Sequence, residues 1–347
     1  MKGAVLVTGG AGYIGSHTTK ALAESGWRPV VFDDLSSGKR EAARWGDLVT
    51  GDVRDREALV EVMRRHDVRG VIHFAGLIEV GRSVIRPDLF YDHNVGGTIA
   101  VLSAMAECGV PRLVFSSSAA VYGDVAADGA PIAETARMAP TSPYGETKLM
   151  GERMIAAHCR AFGLSAVALR YFNACGADPS GLLGEAHDPE THLIPLALEA
   201  ALGEGPALTV FGADFPTRDG SCVRDYVHVS DLAAAHVAAL TAPLPTGAFE
   251  AFNVGIGEGR SVLEVIAAVD AAVGRKTPYT VGARRPGDPP SLVADPRLIA
   301  ERLGWTPVQS DLGHIVETAL RWRRSPEYSL RRPDPVDGAP AEAEVVV

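Results

Sequence analysis

The stretch VLVTGGAGYIG, residues 5–15, admits few folds. An apolar run ends at Thr8, glycines follow at Gly9, Gly12 and Gly15, and helix-forming residues continue. Strand, tight turn and helix N-terminus in that order open a βαβ unit whose free backbone N–H groups and positive dipole can receive a pyrophosphate. The spacing G-x-x-G-x-x-G differs by one residue from the plain dinucleotide fingerprint, and the same physics applies. Five more apolar runs follow: RPVVFD (28–33), DLVTGD (47–52), GVIHFAG (70–76), RLVFSSS (112–118) and SAVALRYF (165–172). Between them REALVEVMRRH (56–66) and GTIAVLSAMAECG (97–109) carry helical periodicity. Nearly continuous apolar strands joined by helices describe a parallel sheet covered on both faces. The expected fold class is α/β, a doubly wound parallel Rossmann sheet.

After residue 173 the pattern loosens. NACGADPSGLLGEAHDPETH reads as loop, followed by a helix over 193–203 and the strand LTVFG (208–212), where a smaller mixed α/β substrate-binding lobe is expected to begin. VRDYVHVSDLAAAHVAAL (223–240) and AFNVG (251–255) read as another strand–helix–strand unit, able to rejoin the first sheet. The expected division is residues 1–172 with about 223–256 for the nucleotide domain, and 173–222 with 257–330 for the second lobe. Residues 331–347, rich in Pro, Ala and acidic side chains, are expected to be flexible.

With 347 residues, 46% of them hydrophobic, the chain can bury a sizeable core. A net charge of −10 argues against nucleic acid or an anionic membrane as partner. No apolar run approaches bilayer-spanning length, and a strand begins so close to Met1 that no secretory signal is expected. The four cysteines, Cys108, Cys159, Cys175 and Cys222, show neither C-x-x-C pairing nor metal-ligand spacing. Reduced thiols, a cytoplasmic location and no metal follow as expectations.

Asp33 ends the second run, where a carboxylate can accept hydrogen bonds from ribose hydroxyls and repel a 2′-phosphate, so NAD is favoured over NADP. Asp52 ends the third run near the expected adenine edge, and Ala75 and Gly76 end the fourth with little bulk to hold backbone away from a cofactor. The fifth run delivers Ser116, Ser117 and Ser118 to the carboxyl edge of the sheet, where ligands of such folds bind. In SPYGETKLMGERM (142–154), Tyr144 and Lys148 are spaced to share one face of a helix. A phenol titrates near pH 10, and a neighbouring cation lowers that by favouring phenolate. Converging with Ser118, the pair makes a general base tuned towards neutrality, with Ser118 bonded to the reacting oxygen.

TGGAGYIG, the S-x-x-VYG of Ser118 to Gly123 and Y-x-x-x-K together resemble the extended short-chain dehydrogenase/reductase superfamily. VIHFAGL, FSSSAAVYGD, SPYGETKLMGE, LRYFNACGADPSG, VFGADFPTRDGSCVRDYVHVSDLA and NVGIGEG are similar to its UDP-glucose 4-epimerase family, from residue 3 to about 325. The resemblance implies that Tyr144 takes the 4-hydroxyl proton of a UDP-hexose while hydride leaves C4 for tightly held NAD. The 4-keto sugar then turns, and hydride returns to its other face. It implies cofactor contacts at Gly9, Gly12, Tyr13, Ile14 and Gly15 in the turn, and at Asp33, Asp34, Asp52 and Val53 around the adenosine. Phe74, Ala75, Gly76, Asn94, Ser116, Tyr144, Lys148 and Tyr171 complete that set. On the substrate it implies Ser118, Tyr144, Phe172, Asn173, His192 and Leu193, with Arg224 and Arg285 on the diphosphate. Phe211 and Tyr226 would frame the uridine, Asp288 its ribose, and Leu292 would limit room beside the hexose. A homodimer built on a helical pair is the family expectation.

Three positions depart from the family pattern. Ile78 stands where many members have a lysine for the cofactor, His192 where an asparagine is common, and Ala120 where a threonine is often found. The size of Leu292 implies a preference for UDP-glucose and UDP-galactose, with weaker use of UDP-N-acetylglucosamine. Two rival readings share the fold. A nucleotide-sugar 4,6-dehydratase needs an extra acid and base where this chain has Ala119 and Ala120. A non-catalytic NAD-binding regulator has no need of both Tyr144 and Lys148.

Overall fold

The computed structural model describes residues 2–124, 130–285 and 288–331. Seven strands pair in parallel: β1 (Ala4–Thr8), β2 (Arg28–Asp33), β3 (Asp47–Thr50), β4 (Val68–His73), β5 (Arg112–Ser118), β6 (Ser165–Tyr171) and β10 (Phe249–Val254). Their order is β10-β6-β5-β4-β1-β2-β3, so the winding reverses between β1 and β4 and leaves a crevice at their carboxyl ends.

Alternation of side chains along each strand builds two apolar layers. Leu6, Val30, Phe32, Val71, Leu113 and Ala166 pack with α2 (Arg56–Arg65), α5 (Gly97–Cys108) and α6 (Pro143–Phe162) through Leu59, Met105 and Ile155. Val5, Val7, Ile72, Val114 and Leu169 pack on the other face with α1 (Tyr13–Glu24), α8 (Val229–Thr241) and α10 (Arg297–Leu303). Both faces being covered explains the unbroken apolar runs. Short helices α3 (Val80–Ile85) and α4 (Pro87–Phe90), then a π-helical turn over Tyr91–Gly96, lead into α5.

The second apolar centre lies under α7 (Leu193–Leu202), α9 (Val262–Val273) and α11 (Leu312–Arg323), and α12 (Pro326–Arg331) follows. A small mixed sheet joins β7 (Asn173–Cys175), β9 (Val223–His228), β11 (Gly259–Ser261) and β13 (Ser291–Leu292), while β8 (Leu208–Phe211) pairs with β12 (Tyr279–Gly282). The strand–helix–strand unit read over 223–255 is divided between the sheets. β10 pairs with β6 and α8 packs on α1, but β9 is the central strand of the small sheet. The Asp225 carboxylate bridges the two regions, accepting from the N–H groups of Ile256 (2.8 Å), Gly257 (3.0 Å) and Ala294 (3.1 Å). Among the described residues no helix is long and apolar enough to cross a membrane. Apart from Arg331, the tail expected over 331–347 lies outside the described residues.

Candidate active site

β1 carries the glycine turn into the crevice. Gly9 has φ +71°, a left-handed value that favours glycine, and a Cβ there would lie 2.7 Å from Ala75 N. At Gly15 a Cβ would lie 2.1 Å from Gly9 O, so the helix closes on the turn only in the absence of a side chain. Gly12 gives α1 no capping side chain, and no acidic residue occupies its first turn. The starts of α2, α6 and α9 are instead capped by Asp55, Ser142 and Ser261. The first N–H groups of α1 thus remain available to an anion.

Asp33 points back at this turn. Its Oδ2 accepts from Ala11 N and its Oδ1 from Leu35 N, both at 2.9 Å. Burial raises its carboxyl above the usual range, against the lowering effect of those two N–H groups. Asp34 turns away to cap Ser36. Asp52 is fixed by the Arg54 guanidinium, which holds its carboxyl down at about 2, and Val53 beside it is buried against Gly97. Phe74 and Ala75 bond Thr8 O through their N–H groups at 2.9 and 3.1 Å, and Phe74 stacks 4.7 Å from His236. Asn94 accepts from Leu77 N (2.7 Å) and donates to Thr147 (3.1 Å), tying the loop after β4 to α6. Tyr13 spans from the turn to Gly176 O at 2.6 Å, and Ile14 packs on the sheet. The glycine cradle, the open helix end and the carboxylate of Asp33 fit a dinucleotide with a free ribose 2′-hydroxyl. Ile78 is 42% exposed and offers this cradle nothing polar.

Ser118, Tyr144 and Lys148 meet at the carboxyl end of β5. Pro143 at the first position of α6 and the Ser142 cap, which accepts from Gly145 N at 3.2 Å, start that helix so that Tyr144 lies in its first turn. The Ser118 hydroxyl accepts from Ala120 N at 3.1 Å and lies close enough to the Tyr144 phenol to favour its ionised form. Lys148 is buried, donates to Ser116 O at 2.8 Å and lies 5.8 Å from the centre of the Tyr144 ring. Burial pushes the ammonium down to about 8. It also raises the phenol above its ordinary value, with the nearby Ser118 hydroxyl opposing. The lowering expected from Lys148 therefore does not prevail in the protein alone: its charge faces a carbonyl and ring faces, not the phenol oxygen. Tyr171 completes the floor, its hydroxyl between Ser116 and His236 Nε2 (2.7 Å).

Behind the serines lies a buried network that sequence reading missed. Ser117 donates to Glu152, which pairs with Arg170 at 2.6 Å, and Arg170 continues to Tyr122 at 2.8 Å. Glu152 sits in SPYGETKLMGE, but nothing local reveals that a charge on that helix faces inward.

On the opposite side of the crevice the charged groups hold one another. Arg224, 3% exposed, donates to Asp288 and, through Nη1, to Pro289 O at 3.0 Å. The Arg285 guanidinium stacks 4.0 Å from the Phe211 ring. Asn173 and Tyr226 are register partners on β7 and β9, and the buried Tyr226 hydroxyl has no hydrogen-bond partner among the described residues. Leu292 is the register partner of Arg224 and, with Phe172, packs on Ala119, Val121 and Leu149. Two expected contacts are differently placed. The Leu193 side chain lies in the second apolar centre, leaving only its backbone for a ligand. His192 turns its ring to Glu185, which raises the imidazole against the opposing effect of burial.

Residues 5–255 match the NAD dependent epimerase/dehydratase family. A UDP-glucose 4-epimerase of Rhizobium meliloti is 49% identical over 92% of this chain and 96% of its own length. One from Streptomyces lividans is 45% identical over 94% and 97%. A crystal structure of UDP-glucose 4-epimerase from Brucella ovis in complex with NAD superposes with a TM-score of 0.88 at 49% identity, over 92% of this chain and 98% of that one. The Bifidobacterium longum enzyme in complex with NAD+ and UDP gives 0.88 at 36% identity, over 94% and 99%. The chain belongs to the NAD dependent epimerase/dehydratase family, within its UDP-glucose 4-epimerase group.

Proposed function

We propose that the chain interconverts UDP-glucose and UDP-galactose, using NAD held along the carboxyl edge of β1, β2 and β4. The observation that carries this is Ser118, Tyr144 and Lys148 meeting at the end of β5, next to the β4 loop that touches Gly9. When bound, NAD supplies a centre that takes and returns a hydride, and a positive charge that favours the Tyr144 phenolate against its burial.

The chain's own part is to move one proton and let the sugar turn. The Tyr144 phenol oxygen takes the 4-hydroxyl proton as the C4–H bond breaks, then returns it at the opposite face. Ser118, beside that phenol, holds the reacting oxygen. Arg224 and Arg285 grip the diphosphate, with Arg224 sharing its bond to Asp288. Phe211, Tyr226 and Asn173 frame the uridine, and Asp288 holds its ribose. The hexose meets Leu292 and Phe172, apolar surfaces that let it rotate. Binding energy then rests on the nucleotide, and the sugar keeps its freedom.

Residues 1–172 with α8, β10 and α10 form the nucleotide domain, and the remainder up to 330 forms the substrate lobe. Ile99 on α5 and Phe162 on α6 are exposed, as an interface between two copies requires, and the chain works as a cytoplasmic homodimer. The alanines at 119 and 120 offer no acid or base for an elimination. The test is to denature the purified protein, identify the released nucleotide, and assay the native protein on UDP-glucose. NAD released and UDP-galactose formed without added cofactor support the proposal. NADP as the main nucleotide, or no conversion by nucleotide-loaded protein, would overturn it.

A further inference from the structure

The loop between β7 and α7 carries the pattern E-x-H-x-x-E-x-H, as Glu185, His187, Glu190 and His192. One ligand atom from each lies within 4.8 Å of the other three. Both imidazoles present Nδ1, and both carboxylates present Oε1. His187 Nδ1 stands 3.0 Å from Glu185 Oε1 and 3.8 Å from Glu190 Oε1. His192 Nδ1 stands 3.7 Å from Glu190 Oε1 and in contact with Glu185 Oε1. Ligands about 2.0–2.1 Å from a tetrahedral ion are spaced roughly 3.3 Å apart. The separations run from direct contact to at most 4.8 Å and bracket that value, so side-chain adjustments without a backbone change can close four ligands around one centre.

His187 Nδ1 is buried and faces both carboxylates, yet its angle to Glu185 Oε1 is not that of a hydrogen bond. A lone pair directed between two carboxylates is placed as a metal ligand is. The surroundings also hold the ligands in position. Glu190 Oε1 accepts from Thr191 N at 2.8 Å and His192 N at 3.0 Å, and Trp322 Nε1 donates to Glu185 O at 2.7 Å. Such outer bonds orient ligating groups.

We infer that Glu185, His187, Glu190 and His192 bind one zinc ion. Two neutral imidazoles and two carboxylates suit zinc among biological divalent cations and balance its charge. Four protein ligands leave no open position, so the ion is structural. It pins the loop between the nucleotide turn, where the Tyr13 ring lies 6.2 Å from that of His187, and the start of α7 at His192. No step of the proposed reaction passes through the ion. A search for cysteine spacing could not find it, since every ligand is His or Glu.

The test uses tag-free, NAD-loaded, full-length protein. It is stripped with chelator, exposed to excess Zn2+, freed of unbound metal, and analysed for metal by mass spectrometry. About one zinc per chain should remain, and the thermal midpoint should rise with zinc. Co2+ in its place should give the visible absorption of a tetrahedral site. Glu190→Gln and His187→Ala should each weaken zinc binding by roughly tenfold or more, with NAD content reporting that the fold is intact. Wild type holding no zinc after this treatment would overturn the inference, and so would Glu190→Gln binding zinc as tightly as wild type. Should His187→Ala fail to fold, those two measurements still decide.

Discussion

Around the glycine turn, polar groups are met by backbone. Asp33 is held by two N–H groups, and Phe74 and Ala75 by a carbonyl of β1. Across the crevice side chains hold the cations instead, Arg224 on β9 by Asp288 and Arg285 by the ring of Phe211 at the end of β8. The first region is shaped by main chain that cannot be exchanged, and a ligand there completes a finished cradle. The second keeps its cations partnered in the free protein, which spares it a buried, unpartnered charge, and under the proposed function a diphosphate would take over those partners. Rigidity should therefore belong to the cofactor side and tolerance to the sugar side.

Where the two regions meet, the largest effect is expected. Tyr144→Phe keeps the ring and removes one oxygen, so turnover should fall by about 100- to 10,000-fold with UDP-sugar binding nearly intact. Steady-state kinetics beside a binding titration measure both, and turnover within a factor of a few of wild type would contradict the role.

Lys148 marks the stability cost of that meeting point. Burial holds it at about 8 in the folded protein, whereas the unfolded chain keeps it protonated up to about 10.4. Between these values the unfolded state binds more protons, so this group's contribution to stability rises with pH and is least favourable below 8. Lys148→Met should stabilise nucleotide-free protein at pH 7 by up to about 3 kcal/mol and abolish turnover. Urea midpoints of the two proteins from pH 7 to 10 should converge as pH rises; parallel curves would contradict this.

Gly15→Ala tests the rigid side. Its Cβ would fall 2.1 Å from Gly9 O, and that strain, about 1–3 kcal/mol if expressed in binding, should lower NAD retention by roughly 5- to 150-fold. Leu292→Tyr tests the tolerant side and should be the mildest. Wild type should turn over UDP-N-acetylglucosamine detectably but less well than UDP-glucose. The tyrosine should cut only the N-acetylated activity, by roughly fivefold or about 1 kcal/mol. Equal handling of the N-acetylated sugar by both proteins would remove residue 292 as the gate.

The same contrast governs what the sequence reveals. Strand, glycine turn and Asp33 lie within the 30 consecutive positions from Ala4 to Asp33, so local pattern is enough to place them. Ser118, Tyr144 and Lys148 are legible because each sits at a strand end or on one helix face. The ion pair of Arg224 with Asp288 joins positions 64 apart in sequence and follows from no periodicity. Leu193 likewise sits in a motif, yet its side chain is taken by the second apolar centre. β9 reads as a core strand in any sheet, and only pairing with β7, β11 and β13 assigns it to the small one. Resemblance supplied the substrate residues, but not which of them hold each other in the free protein.

One site is expected to remove a hydride from C4 of the sugar and return it to the opposite face. UDP-glucose carrying deuterium at C4, turned over in ordinary water by the nucleotide-loaded protein, measures this directly. UDP-galactose should retain the deuterium at C4, with no label in the solvent. Loss of that label to water, or hydrogen at C4 of the product, would contradict it.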